Sequence, residues 1–107
     1  MGTGLSTANS ALKMGHDVRY RPDAASDLED IANYTLERWG RKQARSYISG
    51  LRADIESLSN FALRFPEHEP GGLGLRKMSS GHHLVFYLID NDVVEIVRIL
   101  LERMDFD

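Results

Sequence analysis

Two adjacent histidines, His82 and His83, stand at the mouth of an apolar run in "SGHHLVFY", and no other stretch of the chain looks as much like chemistry. Imidazole is the side chain that most readily holds a metal or moves a proton near neutral pH. Consecutive strand residues point to opposite faces of a sheet, so two neighbouring rings on a strand diverge and cannot grip one ion. The chain has no cysteine, no HExxH and no helical histidine pair; His16 and His68 fall in segments of small and polar residues. No metal site and no cofactor are therefore expected. If the run is a strand, His82, Leu84, Phe86 and Leu88 share one face. That face is apolar after His82 and is expected to lie under the helices. His83, Val85, Tyr87 and Ile89 share the other, a polar and aromatic surface that reads equally as solvated or as meeting a partner.

The elements that must hold these residues follow from periodicity. Residues 1–16 are small, polar and aperiodic and read as a flexible tail, with Met14 a candidate true start and 17–107 the domain. Val18 and Tyr20 alternate with charged residues as a short strand. Pro22 ends it, and the Asp23 carboxylate is placed to cap a helix. Leu28, Ile31, Ala32, Thr35 and Trp39 fall on one helical face, and Gly40 stops that helix. Trp39 is expected to be buried beside the turn, so that Trp39→Ala costs about 3–5 kcal/mol. Ala44, Tyr47, Ile48, Leu51, Ile55 and Leu58 form a second stripe, closed by Pro66 after Phe65. Two such helices around one glycine make an αα-hairpin.

After "PEHEPGG" the period falls to two. Three strand candidates, "LGLRKMS", "HHLVFYLI" and "VVEIVRILL", are separated by gaps short enough for antiparallel hairpins. The expected fold is α+β: an N-terminal strand, an αα-hairpin and a three-stranded antiparallel meander, with the helices packed on one face of a small sheet and the first strand at an edge.

Bulk composition narrows the function. A chain of 107 residues is a single-domain length that buries about 65% of its unfolded surface. It is 42% hydrophobic and 27% charged, the profile of an ordinary folded domain. No apolar run is long enough to span a bilayer and no export signal is visible, so a cytoplasmic setting is the simplest fit. A net charge of −3 disfavours an extended nucleic-acid surface. Acidic residues crowd the segment before Trp39, and Arg38, Arg41, Lys42, Arg45 and Arg52 follow around and beyond it.

With that order of elements in place, "GLGLRKMSSGHHLVFYLIDNDVVEIVRILLERMD" resembles the ParE toxins of bacterial toxin–antitoxin modules, within the wider ParE/RelE superfamily. The resemblance rests on Leu75-Arg76, His83, Phe86-Tyr87, Arg98-Ile99-Leu100 and Arg103-Met104-Asp105, with "AASDLEDIANYTLERWG" and "QARSYISGL" upstream. It covers roughly residues 17–105. One departure stands out: Leu101 takes the place of a histidine usual in the family's last strand.

The resemblance implies a cytoplasmic toxin that inhibits DNA gyrase and is neutralised in a hetero-oligomer by a ParD-like antitoxin. RelE-like relatives instead cut mRNA on the ribosome, and an inactive antitoxin-binding module is a third reading. Cleaving RNA needs a general base, a general acid and cations to hold phosphate. Residues 71–107 offer Arg76, Lys77, Arg98 and Arg103 against Asp90, Asp92, Glu95, Glu102, Asp105 and Asp107, with His83 the only good titrating group. That balance favours a non-enzymatic protein with no catalytic residue and no sequence-specific nucleic-acid binding. The target surface is expected at Arg76, His83, Tyr87, Arg98 and Arg103, although Arg98 and Arg103 are equally candidates for ion pairs with Glu95 or Glu102. The antitoxin is expected at Arg38, Arg41, Lys42 and Arg45.

Overall fold

In a computed structural model that describes residues 15–67 and 74–102, β1 (Asp17–Tyr20) leads into α1 (Pro22–Trp39). Then come α2 (Arg41–Glu56), a single turn α3 (Leu58–Phe61) and a 3₁₀ turn at Ala62–Arg64. The meander follows as β2 (Arg76–Ser80), β3 (His83–Asp90) and β4 (Val93–Leu101). The sheet order is β1-β4-β3-β2. β4 pairs antiparallel with β3, and β3 with β2. β1 lies at the edge, parallel to β4, a pairing that the helical hairpin makes possible by carrying the chain back to the same end of the sheet. The expected architecture is present. Of the expected tail, residues 1–14 fall outside the described residues, while the His16 amide donates to the Ser59 carbonyl at 2.6 Å.

Pro22 starts α1 rather than ending a strand. As first helical residue it loses no hydrogen bond, because the first amides of a helix have no partner anyway. Arg21 is the N-cap and no side chain caps the end. Asp23 sits within the first turn, where its charge favours the helix dipole, so the capping role expected of it is corrected. Gly40 ends α1 with φ 92° and ψ 170°, a conformation essentially open only to glycine, and its amide donates to the Leu36 carbonyl at 3.0 Å. Because α2 begins at the next residue, this one glycine sets the angle of the hairpin.

The face of β3 is the reverse of the expectation. Val85 and Tyr87 are fully buried under the helices, and Leu84, Phe86 and Leu88 lie half-exposed on the open face. Tyr87 tolerates burial because its hydroxyl donates to the Ala62 carbonyl at 2.7 Å. On β4, Val94 and Ile96 point inward, and a bulge then opposes Phe86 to Arg98 but Tyr87 to Ile96. The additional residue, Val97, resets the alternation so that Ile99 turns in and Arg98 turns out. Without it the inward row would have met an arginine.

Tyr87, Leu51, Ile55, Leu58, Ile96, Val85 and Val94 are the largest fully buried side chains, each contributing about 1.5–3 kcal/mol. Of the expected stripe of α1, Leu28, Ile31 and Thr35 are buried and Ala32 is partly so, Ala24 joins them, and the Thr35 hydroxyl donates to the Ile31 carbonyl. Trp39 does not join them. It is 61% exposed, because the end of α1 projects past the elements that cover the rest of the stripe.

Candidate functional site

That projection leaves a groove. It is bounded by the second half of α1, the start of α2, the β2–β3 turn and the end of β4, and it has a volume of about 750 Å³. Ile31, Tyr34, Trp39, Ile99, Leu100 and Leu101 supply its apolar lining, and Asp27, Asp30, Gln43, Tyr47, His82 and His83 its polar groups. Tyr34, Trp39 and Leu101 are each 59–61% exposed. Arg38 lies 6.0 Å from the ring centre of Tyr34 and 5.9 Å from that of Trp39, a cation held against both aromatic surfaces.

One end of the groove is a small hydrogen-bonded cluster built by the β2–β3 turn. Gly81, at φ 59°, brings the turn so near α2 that an added Cβ would stand 2.6 Å from the Tyr47 hydroxyl oxygen. The His82 amide donates to that oxygen at 2.9 Å, and His83 Nδ1 lies 2.7 Å from it. The tautomer of His83 sets which way the proton runs between its Nδ1 and the tyrosine, and the hydroxyl also reaches the Ser80 carbonyl at 3.5 Å. Burial pushes the His83 pKa below the ordinary histidine value, and the neighbouring His82 lowers it further. Burial also raises the Tyr47 pKa, against the opposing pull of the His82 amide. The His82 ring stacks on Tyr47, 6.4 Å between centres.

The four target-surface candidates among the described residues do not converge. Arg76, at the start of β2, donates to the Phe65 carbonyl at 2.6 Å and so ties that strand to the segment after the 3₁₀ turn. Tyr87, paired beside it, is in the core and presents no surface, which corrects its placement there. Arg98 forms a two-pronged pair with Asp27 of α1, at 2.7 and 2.9 Å, instead of with Glu95 or Glu102. Glu95 is held by Arg21 at 2.8 Å. Burial alone would raise the Asp27 pKa, but the Arg98 guanidinium and the Ile99 amide outweigh it and hold the carboxyl below its ordinary value. Of the four that are described, His83 alone lines the groove; Arg103 lies outside the described residues. Arg38, Arg41, Lys42 and Arg45 are all exposed around the hairpin turn, and Arg38 lies against the groove's Tyr34 and Trp39. Sequence reasoning did not single out Tyr34, Trp39 and Tyr47 as one surface. The available signal was three aromatics close to a glycine-centred turn, Tyr34 and Trp39 before Gly40 and Tyr47 after it.

No helix among the described residues is long and apolar enough to cross a membrane, and none of their His, Asp and Glu side chains cluster as metal ligands. Residues 18–106 match the family described as "ParE toxin of type II toxin-antitoxin system, parDE". Toxin ParE1 of Caulobacter vibrioides is 38% identical over 82 residues, spanning 77% of this chain and 84% of that protein. Toxin ParE of Escherichia coli is 36% identical over 84 residues, 78% and 82% of the two chains. The fold is similar to that of a chromosomal ParDE toxin–antitoxin system from P. aeruginosa, with a TM-score of 0.72 and 16% identity over 84% of this chain and 99% of that one. It is also similar to the toxin–antitoxin complex RelBE2 of Mycobacterium tuberculosis, at a TM-score of 0.62 and 18% identity over 82% and 99%. The chain belongs to the ParE family of type II toxin–antitoxin toxins.

Proposed function

We propose that this toxin acts in the cytoplasm by binding DNA gyrase rather than by cutting RNA, and that a ParD-like antitoxin neutralises it by occupying the groove beside Trp39. The observation that carries the first half is the groove's charge. The groove's two histidines, His82 and His83, share it with Asp27 and Asp30 and with no arginine or lysine among the described lining residues. Asp30 disfavours the phosphodiester that a ribonuclease must hold, the Asp27 charge is taken up by Arg98, and among the described residues no arginine or lysine lines the groove to stabilise the transition state. The Nδ1 position of His83 is already engaged by Tyr47, Arg98 is engaged by Asp27, and Leu101 faces the groove as an apolar side chain.

The second half rests on exposed apolar surface beside positive charge. Tyr34, Trp39, Leu100 and Leu101 are four large apolar side chains left exposed along the groove. Arg38 lies against two of these, and Arg41, Lys42 and Arg45 follow in the exposed hairpin turn. An acidic amphipathic helix from the antitoxin fits that combination, with its apolar face in the groove and its carboxylates toward the rim. Reversing Arg41, Lys42 and Arg45 to Glu should slow association, most strongly at low salt. An unchanged on-rate would place the antitoxin elsewhere.

The experiment for the target is induction of the wild type and of His83→Ala without antitoxin, followed by mapping of mRNA ends and by supercoiling assays with purified gyrase. Gyrase-linked double-strand breaks with intact mRNA support the proposal. Codon-specific mRNA cleavage that is lost with His83, alongside unaffected gyrase, contradicts it, since removing a general acid or base costs about 10²–10⁴-fold in rate. No effect in either assay favours an inactive antitoxin-binding module, with Leu101→His as the attempt at rescue.

A further inference from the structure

Asp27 and Asp30 both line the groove from α1, three residues apart, and the fold treats them differently. Asp27 is engaged twice over. The Arg98 guanidinium grips both its oxygens, and the Ile99 amide donates to it at 2.9 Å. Asp30 is exposed and has no ion-pair partner among the described residues. Its neighbours three and four positions away on the helix are Ser26, Asp27, Asn33 and Tyr34, so α1 supplies no cation that could reach it.

Arg38 is its counterpart at the hairpin end. It follows Asp30 by two helical turns, about 12 Å along the same face of α1, with Tyr34 midway between them. The guanidinium lies against the rings of Tyr34 and Trp39, and no carboxylate of the described residues pairs with it. The groove is therefore bordered by an unpaired anion at one end, an unpaired cation at the other, and exposed apolar side chains between. A partner laid on those apolar groups draws water away from both charges. Covering a carboxylate without a partner is costly, and an opposite charge brought by the partner removes that cost.

We infer that the antitoxin helix, on the groove reading given above, reverses its charge along its length, and that Asp30 is the residue by which the groove selects its partner. Carboxylates of the helix meet Arg38 and the cations that follow it in the turn. A Lys or Arg about two turns away along the helix meets Asp30. Asp27 makes no such demand, because Arg98 already answers its charge. A helix that is acidic throughout is rejected at Asp30 by like charge, and a helix apolar at that point leaves the carboxylate covered and unpaired.

The test uses the full chain with the small protein encoded immediately beside its gene. Asp30→Asn and Asp30→Lys change an exposed side chain that has no native ion pair, so both variants should unfold at the wild-type midpoint. Asp30→Asn should bind about tenfold more weakly and Asp30→Lys about a hundredfold, as expected when one member of a covered charge pair is neutralised or reversed. Glu29→Lys makes the same charge change on α1 outside the groove and should leave the affinity at physiological salt nearly unchanged. Among single reversals of the antitoxin's Lys and Arg residues to Glu, one should weaken the wild-type complex and restore the Asp30→Lys complex. Asp30→Asn binding as tightly as the wild type, or more tightly, overturns the inference, and so does a full set of reversals without a rescue. If Trp39→Ala weakens the complex while the Asp30 variants do not, the groove reading survives and the charge inference falls. If neither position matters, the groove reading falls with it, and if no complex forms the partner reading itself falls.

Discussion

Tyr87 and Tyr47 stand in contrasting halves of the molecule. Both have pKa values raised by burial, and both place their hydroxyls within hydrogen-bonding distance of a partner from another element. Tyr87 is sealed on every side: α2, α3 and the 3₁₀ turn cover it, and its hydroxyl ends on the Ala62 carbonyl. Tyr47 is only half-covered, and its hydroxyl joins a turn, a histidine ring and the end of a groove. The same two strands, β3 and β4, serve both. Before the Val97 bulge β4 is flanked by β1 and β3, with Val94 and Ile96 closed beneath the helices. After it, one edge is open and Leu100 and Leu101 face solvent. The difference separates the residues that hold the fold from those whose exposure a partner would relieve.

The sharpest way to break this contrast is to exchange the fates of Tyr87 and Trp39. Tyr87→Ala should cost about 3–5 kcal/mol of stability. Tyr87→Phe should cost about 1–3 kcal/mol, because it leaves the buried Ala62 carbonyl without a donor. Trp39→Ala, a larger deletion, should change stability by no more than about 0.5 kcal/mol, because the side chain is already in solvent. Urea unfolding of the three variants checks all of this, and a Trp39→Ala loss comparable to that of Tyr87→Ala would erase the distinction. Gly40→Ala comes next. Nothing lies within 4 Å of the added Cβ, so the cost is confined to the backbone at φ 92°, about 1–3 kcal/mol. It should also reorient the hairpin, and with it the groove.

Two smaller effects depend on pH. The folded-state pKa of Asp27 is lowered, so its stabilisation is present above the ordinary carboxylate range and is lost as acid titrates the folded carboxyl. Asp27→Asn should flatten the acid limb of a stability-against-pH curve. His83 is also lowered, mainly by burial. Folding then disfavours its proton, so stability should fall as pH drops below the ordinary histidine value, and His83→Gln should reduce that fall. Guanidinium unfolding at pH 8 and pH 5 reads the difference, and an identical decline in the variant would remove His83 from the account.

Much of the fold was legible because its signals are local. Gly40, the two stripes of α1 and α2, and the short polar gaps around Gly81 and Asn91 each state an element boundary within a few residues. The orientation of β3 was not legible in that way. Its two rows, Leu84-Phe86-Leu88 and Val85-Tyr87-Ile89, are both apolar, and what selects between them is the Ala62 carbonyl, 25 residues away, together with a bulge on another strand. Trp39 misled for a related reason. Periodicity assigns a residue to a helical face but does not say whether anything covers that end of it. The Asp27–Arg98 pair joins residues 71 positions apart, and neither spacing nor charge pattern indicates it. Of the candidate site, His83 and the basic rim were legible from residue type, whereas the aromatic lining emerged only from how α1 overhangs the sheet.

The most direct measurement of the division between sealed and open halves is the fluorescence of Trp39, the single tryptophan of the chain. The free protein should emit as a solvent-exposed indole. Adding the antitoxin should shift that emission to the blue and protect it from an aqueous quencher, with Trp39→Phe as the blank for any tryptophan in the partner. Emission that is already blue in the free chain, or that stays exposed in a formed complex, would contradict the account.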